Sequence, residues 1–110
     1  MPYEVREAEG YRVVMLSDEV DLSRSPEARK TILDALGGAG AVFVDLSTVS
    51  YIDSSGVASL VEGFQTAKKS GQRFALVGVS DAALAVLKLA RLDQVFEIEA
   101  TVESAMGGSV

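Results

Sequence analysis

The sequence predicts an α/β fold: a mixed, mostly parallel sheet of about four to five strands, with about four helices packed largely on one face. Three observations carry this. Short apolar segments of strand length alternate with longer segments whose apolar residues recur at helical spacing. The run Ala41-Val42-Phe43-Val44-Asp45-Leu46 is apolar on both faces until Asp45. It suits a central strand covered on both sides, or by helices on one side and something else on the other. Two strand–helix–strand crossovers in mid-chain imply parallel neighbours joined by right-handed connections, and a leading hairpin adds one antiparallel strand.

The first predicted strand, over residues 3–8, alternates weakly, and Glu9-Gly10 is a turn signal. Residues 11–16 carry Val13, Val14, Met15 and Leu16, so the second strand of the hairpin is the better buried. Ser17-Asp18-Glu19-Val20-Asp21-Leu22 reads as an acidic loop. Ser25-Pro26-Glu27 reads as a helix start, with Ser25 as the N-cap, proline at the first helical position and glutamate in the first turn. Ala28, Ile32, Ala35 and Leu36 form the apolar stripe of that helix, and Gly37-Gly38-Ala39-Gly40 ends it. After the strand at 41–46, Ser47 to Ser50 reads as a polar connector. A helix over 55–70 places Val57, Leu60, Val61, Phe64 and Ala67 on one face, with Lys68 and Lys69 at its C-terminal end and Gly71 as its stop. A strand over 73–79 follows, then a short helix over about 82–90 capped by Ser80-Asp81. Leu92-Asp93-Gln94 turns the chain into a last strand at 95–98. Residues 101–106 suit a final helical turn or two, and 107–110 are expected to fray.

The chain has 110 residues, one domain's worth, and no repeat, low-complexity tract or long linker divides it, so 1–110 is expected to be a single domain. A chain of this size buries about 65% of its unfolded surface, enough for one modest core. It contains no cysteine and no histidine. Disulfides, Ser-His-Asp catalysis, His-ligated zinc and a histidine phosphorelay through its own residues are thereby excluded. The formal net charge of −6 makes it a poor ligand for nucleic acid. No apolar run reaches 18 residues, and Met1-Pro2-Tyr3-Glu4 does not open a signal peptide. The expectation is a cytoplasmic protein with no membrane insertion, no nucleic-acid partner and no cofactor or metal.

The chain is organised around Tyr51-Ile52-Asp53-Ser54-Ser55-Gly56-Val57-Ala58-Ser59-Leu60, which closes the central strand region and opens a helix. Asp53, Ser54 and Ser55 are residue types whose side-chain oxygens accept hydrogen bonds from the free N–H groups of a first helical turn. Gly56 lets another segment approach the backbone. A hydroxyl held at the positive end of a helix dipole tolerates an added anion, a setting that suits a phosphorylatable serine. A plain helix cap is the competing reading. Two other features also carry two readings. The helix segment Ala82-Ala83-Leu84-Ala85-Val86-Leu87 is either small residues wedged between sheet and neighbouring helix or a docking surface. The acidic loop Asp18-Glu19-Val20-Asp21 is either a solvated loop or a hard-cation site, though it lacks a calcium-loop pattern.

Asp53-Ser54-Ser55-Gly56-Val57, following Val44-Asp45-Leu46 and Tyr51-Ile52, resembles the central motif of the STAS family, which includes the bacterial anti-sigma factor antagonists. The resemblance extends over essentially the whole chain. Residues 16–23 are similar to the family's loop after the second strand, 42–46 to its central strand, and Val77-Gly78-Val79-Ser80 with Arg91-Leu92-Asp93-Gln94-Val95-Phe96 to its closing half. One departure is that the family commonly has glycine where Asp18 stands.

The resemblance implies Ser55 as the phosphorylated residue, with Asp21 and Asp53 as the family's loop and signature aspartates. With Ser23, Ser54, Gly56 and Val57, these two form the partner-binding residues. It further implies a partner switch: the unphosphorylated domain binds an anti-sigma factor that is itself a serine kinase, phosphorylation releases it, and a separate serine phosphatase restores it. The chain would then be a binding protein and not an enzyme. A phosphate adds about −1.5 to −2 charge beside Asp18, Glu19, Asp21 and Asp53, which is repulsive at an interface they line. A second reading is a STAS accessory subunit of an ABC-type lipid transporter, acting by protein–protein binding without phosphorylation. A third, an enzyme with Asp45 and Asp53 as a metal-binding pair, lacks a supporting set of carboxylates and bases.

Overall fold

Gly10, with a φ of 89°, turns strand β1 (Glu4–Ala8) back antiparallel onto β2 (Tyr11–Val20). The computed structural model describes residues 3–38 and 40–107. The expectations for Met1 and Pro2, for Ala39 and for fraying over 108–110 lie outside the described residues. Helix α1 (Ser25–Leu36), β3 (Ala41–Ile52), α2 (Ser54–Ser70), β4 (Phe74–Val77), α3 (Asp81–Leu89), β5 (Glu97–Glu99) and α4 (Val102–Ala105) follow, with a 3-10 turn at Leu92–Gln94. The element order and the mixed sheet are as the sequence predicts. The sheet runs β1-β2-β3-β4-β5, parallel except for β1.

Strands added one after another by right-handed crossovers put their connecting helices on one face. Accordingly α1, α2 and α3 pack on one side. Ala28, Ile32, Ala35, Leu60, Ala67, Ala83 and Leu87 meet Val14, Leu16, Val42, Val44, Leu46, Phe74 and Leu76 there. The other face carries a smaller cluster, in which Val13, Phe43, Ala75 and Val77 are covered by Val102 and Ala105 of α4. β3 is therefore covered on both sides, with the helices on one and the short α4 on the other.

Two segments read as loops are strand. β2 continues through Ser17-Asp18-Glu19 to Val20, and β3 continues through Ser47 to Ile52. Pairing survives because the register shifts between Met15 and Ser17 and again between Asp18 and Glu19, with β3 carrying the extra residue each time. Each bulge adds one residue to the repeat of two. Leu46, Val49 and Ile52, three apart, all reach the core as a result. The start of α1 also differs. Ser25 is its first helical residue, the N-cap is Arg24, and no side chain caps there. The backbone carbonyl of Asp21 instead accepts from the N–H groups of Arg24 (3.0 Å) and Ser25 (2.8 Å). β4 is shorter than expected and β5 begins at Glu97 rather than Val95. α3 buries Ala83 and Leu87 and leaves Ala82, Ala85 and Leu89 exposed.

Candidate functional site

The long pairing of β2 with β3 ends with Val20 beside Ile52, so the next residues, Asp21 and Asp53, leave the sheet side by side. Asp53 is the N-cap of α2. Its Oδ1 accepts from the N–H of Ser55 (3.0 Å), the N–H of Gly56 (3.2 Å) and the hydroxyl of Ser55 (2.5 Å). The Ser55 hydroxyl holds the Asp53 carboxyl below the ordinary aspartate range against the cost of desolvation, and the N–H groups of Gly56, Ser55 and Leu22 add to this.

Asp21 repeats the arrangement. Its Oδ1 accepts from the N–H of Ser23 (3.0 Å), the hydroxyl of Ser23 (2.6 Å) and the N–H of Arg24 (3.2 Å). The Ser23 hydroxyl is the main cause of its lowered pKa, and the neighbouring negative charge of Asp53 works against it. Two carboxylates thus stay ionised next to each other, each stabilised by its own turn.

Gly56 is where the helix start meets the end of β2. A Cβ there would lie 2.5 Å from the Val20 carbonyl oxygen and 2.6 Å from Ile52 Cγ1. Only glycine allows α2 to begin this close to the sheet, which is what sets Ser55 at the rim. Ser54 is exposed, Ser55 and Val57 are half-buried, and Ser59, one turn on, is buried. The Ser59 hydroxyl lies 3.2 Å from both the Ser55 and the Ser25 carbonyl oxygens, tying the first turn of α2 to that of α1.

The structure brings Asp21, Ser23, Asp53, Ser55 and Gly56 to one end of the sheet, with Ser54 and Val57 on the opening turn of α2 beside them. Sequence reasoning missed three residues at its edge. Leu22 is 74% exposed and Tyr51 50% exposed, large apolar side chains facing solvent on either side of the acidic groups. An apolar residue set between Asp21 and Ser23 in a turn is the sequence signal for Leu22. Tyr3 is the third. Its ring is buried beneath the Arg24 guanidinium, 4.6 Å from the ring centroid, and nothing local to residue 3 indicates this.

Asp45 and Asp53 are not brought together. They stand eight positions apart, Asp45 within β3 and Asp53 just past its end, roughly 25 Å at a strand's rise per residue, and Asp45 accepts the Ser47 N–H at 2.8 Å. Among the described residues no group of three or more acidic, histidine or cysteine side chains is placed to hold a metal ion. Among them, too, no helix is long and apolar enough to cross a membrane.

A family model described as the STAS domain matches residues 2–105. An anti-sigma-B factor antagonist of Listeria monocytogenes is 27% identical over 97 residues, covering 87% of this chain and 84% of its own. The crystal structure of an anti-sigma factor antagonist from Mycobacterium paratuberculosis superposes with a TM-score of 0.84 at 25% identity, covering 96% of this chain and 91% of its own. The phosphorylated form of the Bacillus protein SpoIIAA has the same fold, with a TM-score of 0.73 at 22% identity over 98% of this chain and 99% of its own.

Proposed function

We propose that this chain, which belongs to the STAS domain family, is an anti-sigma factor antagonist: a protein-binding switch controlled by phosphorylation of Ser55. The observation that carries the reading is the Ser55 hydroxyl, half-buried at the N-terminus of a 17-residue helix and donating to Asp53 at 2.5 Å. Phosphoryl transfer from ATP on a partner kinase would form an Oγ–P bond, break the bond to the departing ADP and pass the hydroxyl proton to a base. The helix N-terminus tolerates the new phosphate. The partner surface does not, because Asp21 and Asp53 are already ionised there and Asp18 and Glu19 lie nearby on β2.

The unphosphorylated surface, with Leu22 and Tyr51 flanking Asp21, Ser23, Asp53, Ser54, Gly56 and Val57, is where an anti-sigma factor with serine kinase activity would dock. A serine phosphatase would reset it. The names of the relatives support this reading, and the absence of histidine and cysteine suits a binding protein better than a catalyst.

Intact-mass spectrometry with site mapping, on protein isolated from its native cells with phosphatase activity blocked, is expected to find one phosphate, on Ser55. A chain unmodified across growth conditions overturns the switch. Ser55→Asp should weaken binding to the kinase recovered with the wild-type chain by tenfold or more, as close like charges at an interface do. Ser55→Ala should bind constitutively and resist labelling. Titration calorimetry on the two variants reads both outcomes.

A further inference from the structure

β1 forms one edge of the sheet. Its inner side pairs with β2, and no described residue pairs with its outer side. All five of its residues are exposed, and its register against β2 runs without a bulge. An open strand edge is a template for another strand, and proteins guard it with proline, bulges, short length or charge. β1 carries only charges, and they differ in sign: Glu4, Arg6 and Glu7. The other edge, β5, holds just Glu97, Ile98 and Glu99, whose charges are alike. The hairpin fixes which groups of β1 are free. Ala8 and Tyr11 close the two-residue turn Glu9-Gly10 as a hydrogen-bonded pair. Pair types alternate from there, so Arg6 and Glu4 bond to β2, while Glu7 and Val5 turn their N–H and C=O groups outward. Side chains alternate too. Glu4 and Arg6 stand on the face of the sheet that carries Val13. Val5 and Glu7 stand on the helix face, where a cleft of about 740 Å3 opens between β1 and α1.

We propose that the outer edge of β1 is a self-pairing interface, on which a second copy of this chain adds its own β1 antiparallel about a two-fold axis at Val5. In that register the two Val5 residues exchange backbone hydrogen bonds, and Glu7 exchanges them with Tyr3 of the other copy. Glu4 of each copy stands opposite Arg6 of the other. The Glu4–Arg6 pair found within one strand at 3.4 Å thereby becomes a ring of alternating charge. An axis at Glu4, Arg6 or Glu7 would instead set like charges directly against each other. Val5, 39% exposed, is covered by its counterpart. One strand edge is a small interface, so the dimer is weak and reversible. β1 reaches no further along β2 than Met15, whereas Asp21 and Asp53 leave the sheet beyond Val20 and Ile52. Pairing through β1 therefore leaves the Ser55 surface of each copy open, and the proposal does not depend on Ser55.

Sedimentation velocity on the full chain, at concentrations reaching about 1 mM, should show a monomer–dimer equilibrium. The amides of Val5 and Glu7 should slow in hydrogen exchange as the dimer forms. Arg6→Glu should weaken association by roughly tenfold or more, because Glu4 then meets a like charge. Glu4→Arg alone should weaken it as well, although it reduces the net charge of −6 that keeps copies apart. The two substitutions together should restore it, since the charges are again opposite. A chain that is monomeric at every concentration overturns the proposal, its edge then being guarded by charge. So does a dimer indifferent to Arg6→Glu, strengthened by Glu4→Arg, unrestored by the charge swap, or formed while the Val5 and Glu7 amides still exchange freely.

Discussion

At Asp18 the main chain takes a φ of 60°, in the left-handed region that glycine enters without steric cost. The residue sits at the second register shift of β2 against β3, and the bulge imposes the conformation. Aspartate tolerates it better than most residues, but an L side chain there is still strained. Asp18→Gly should raise stability by about 0.5–1 kcal/mol in urea unfolding, losing only a 3.9 Å exposed pairing with Arg24. Gly56 shows the opposite sensitivity. Its Gly56→Ala variant must push α2 off Val20 and Ile52. We expect a loss of about 1–3 kcal/mol, typical of overpacking, measured as a lower thermal midpoint. Both residues are conspicuous in the sequence, one as a departure from a motif and one as part of it. Their backbone and packing reasons become visible only in the folded chain.

The helices that flank the site are fastened to each other as well as to the sheet. Arg29 of α1 bonds Glu62 of α2 at 2.7 Å, and Ser59 bridges their first turns. Gly63 allows the close approach: a Cβ there would lie 2.6 Å from Ile32 Cγ2 and 3.1 Å from the Phe74 ring. Gly63→Ala should therefore cost about 1–3 kcal/mol, read by chemical denaturation, and should loosen α1 against α2. The hydrogen-bonded carboxylates of Asp21, in its turn, and Asp53, at the cap of α2, set an acid limit. Both carboxyls titrate lower folded than unfolded, so their contribution is complete above the unfolded value of about 4. It is lost as pH falls through the lower folded values. Stability measured from pH 6 down to 2 should fall mainly below pH 4, and Asp53→Asn should flatten that limb.

Across the molecule, sequential right-handed addition of strands puts three helices on one face and brings the openings of α1 and α2 to one end. A single modification at Ser55 can then act on a surface drawn from two distant parts of the chain. The order of elements was legible because α2 and its Asp53 cap, the α1 stripe and the β3 core obey local periodicity and local hydrogen bonding. Asp53, Ser55 and Gly56 were legible for the same reason, since a helix cap is written in consecutive residues. The true length of β2 and β3 was not: two bulges replace the repeat of two with a repeat of three at Leu46, Val49 and Ile52, which resembles a polar connector. Nor was the start of α1, with Arg24 rather than Ser25 as its N-cap, because hydrogen bonding to the Asp21 carbonyl decides where that helix starts. The neighbourhood of Asp21 and Asp53, and of Tyr3 and Arg24, was decided by tertiary structure alone. Those contacts join residues some 20 to 30 positions apart, and only the register of one strand against another brings them within reach.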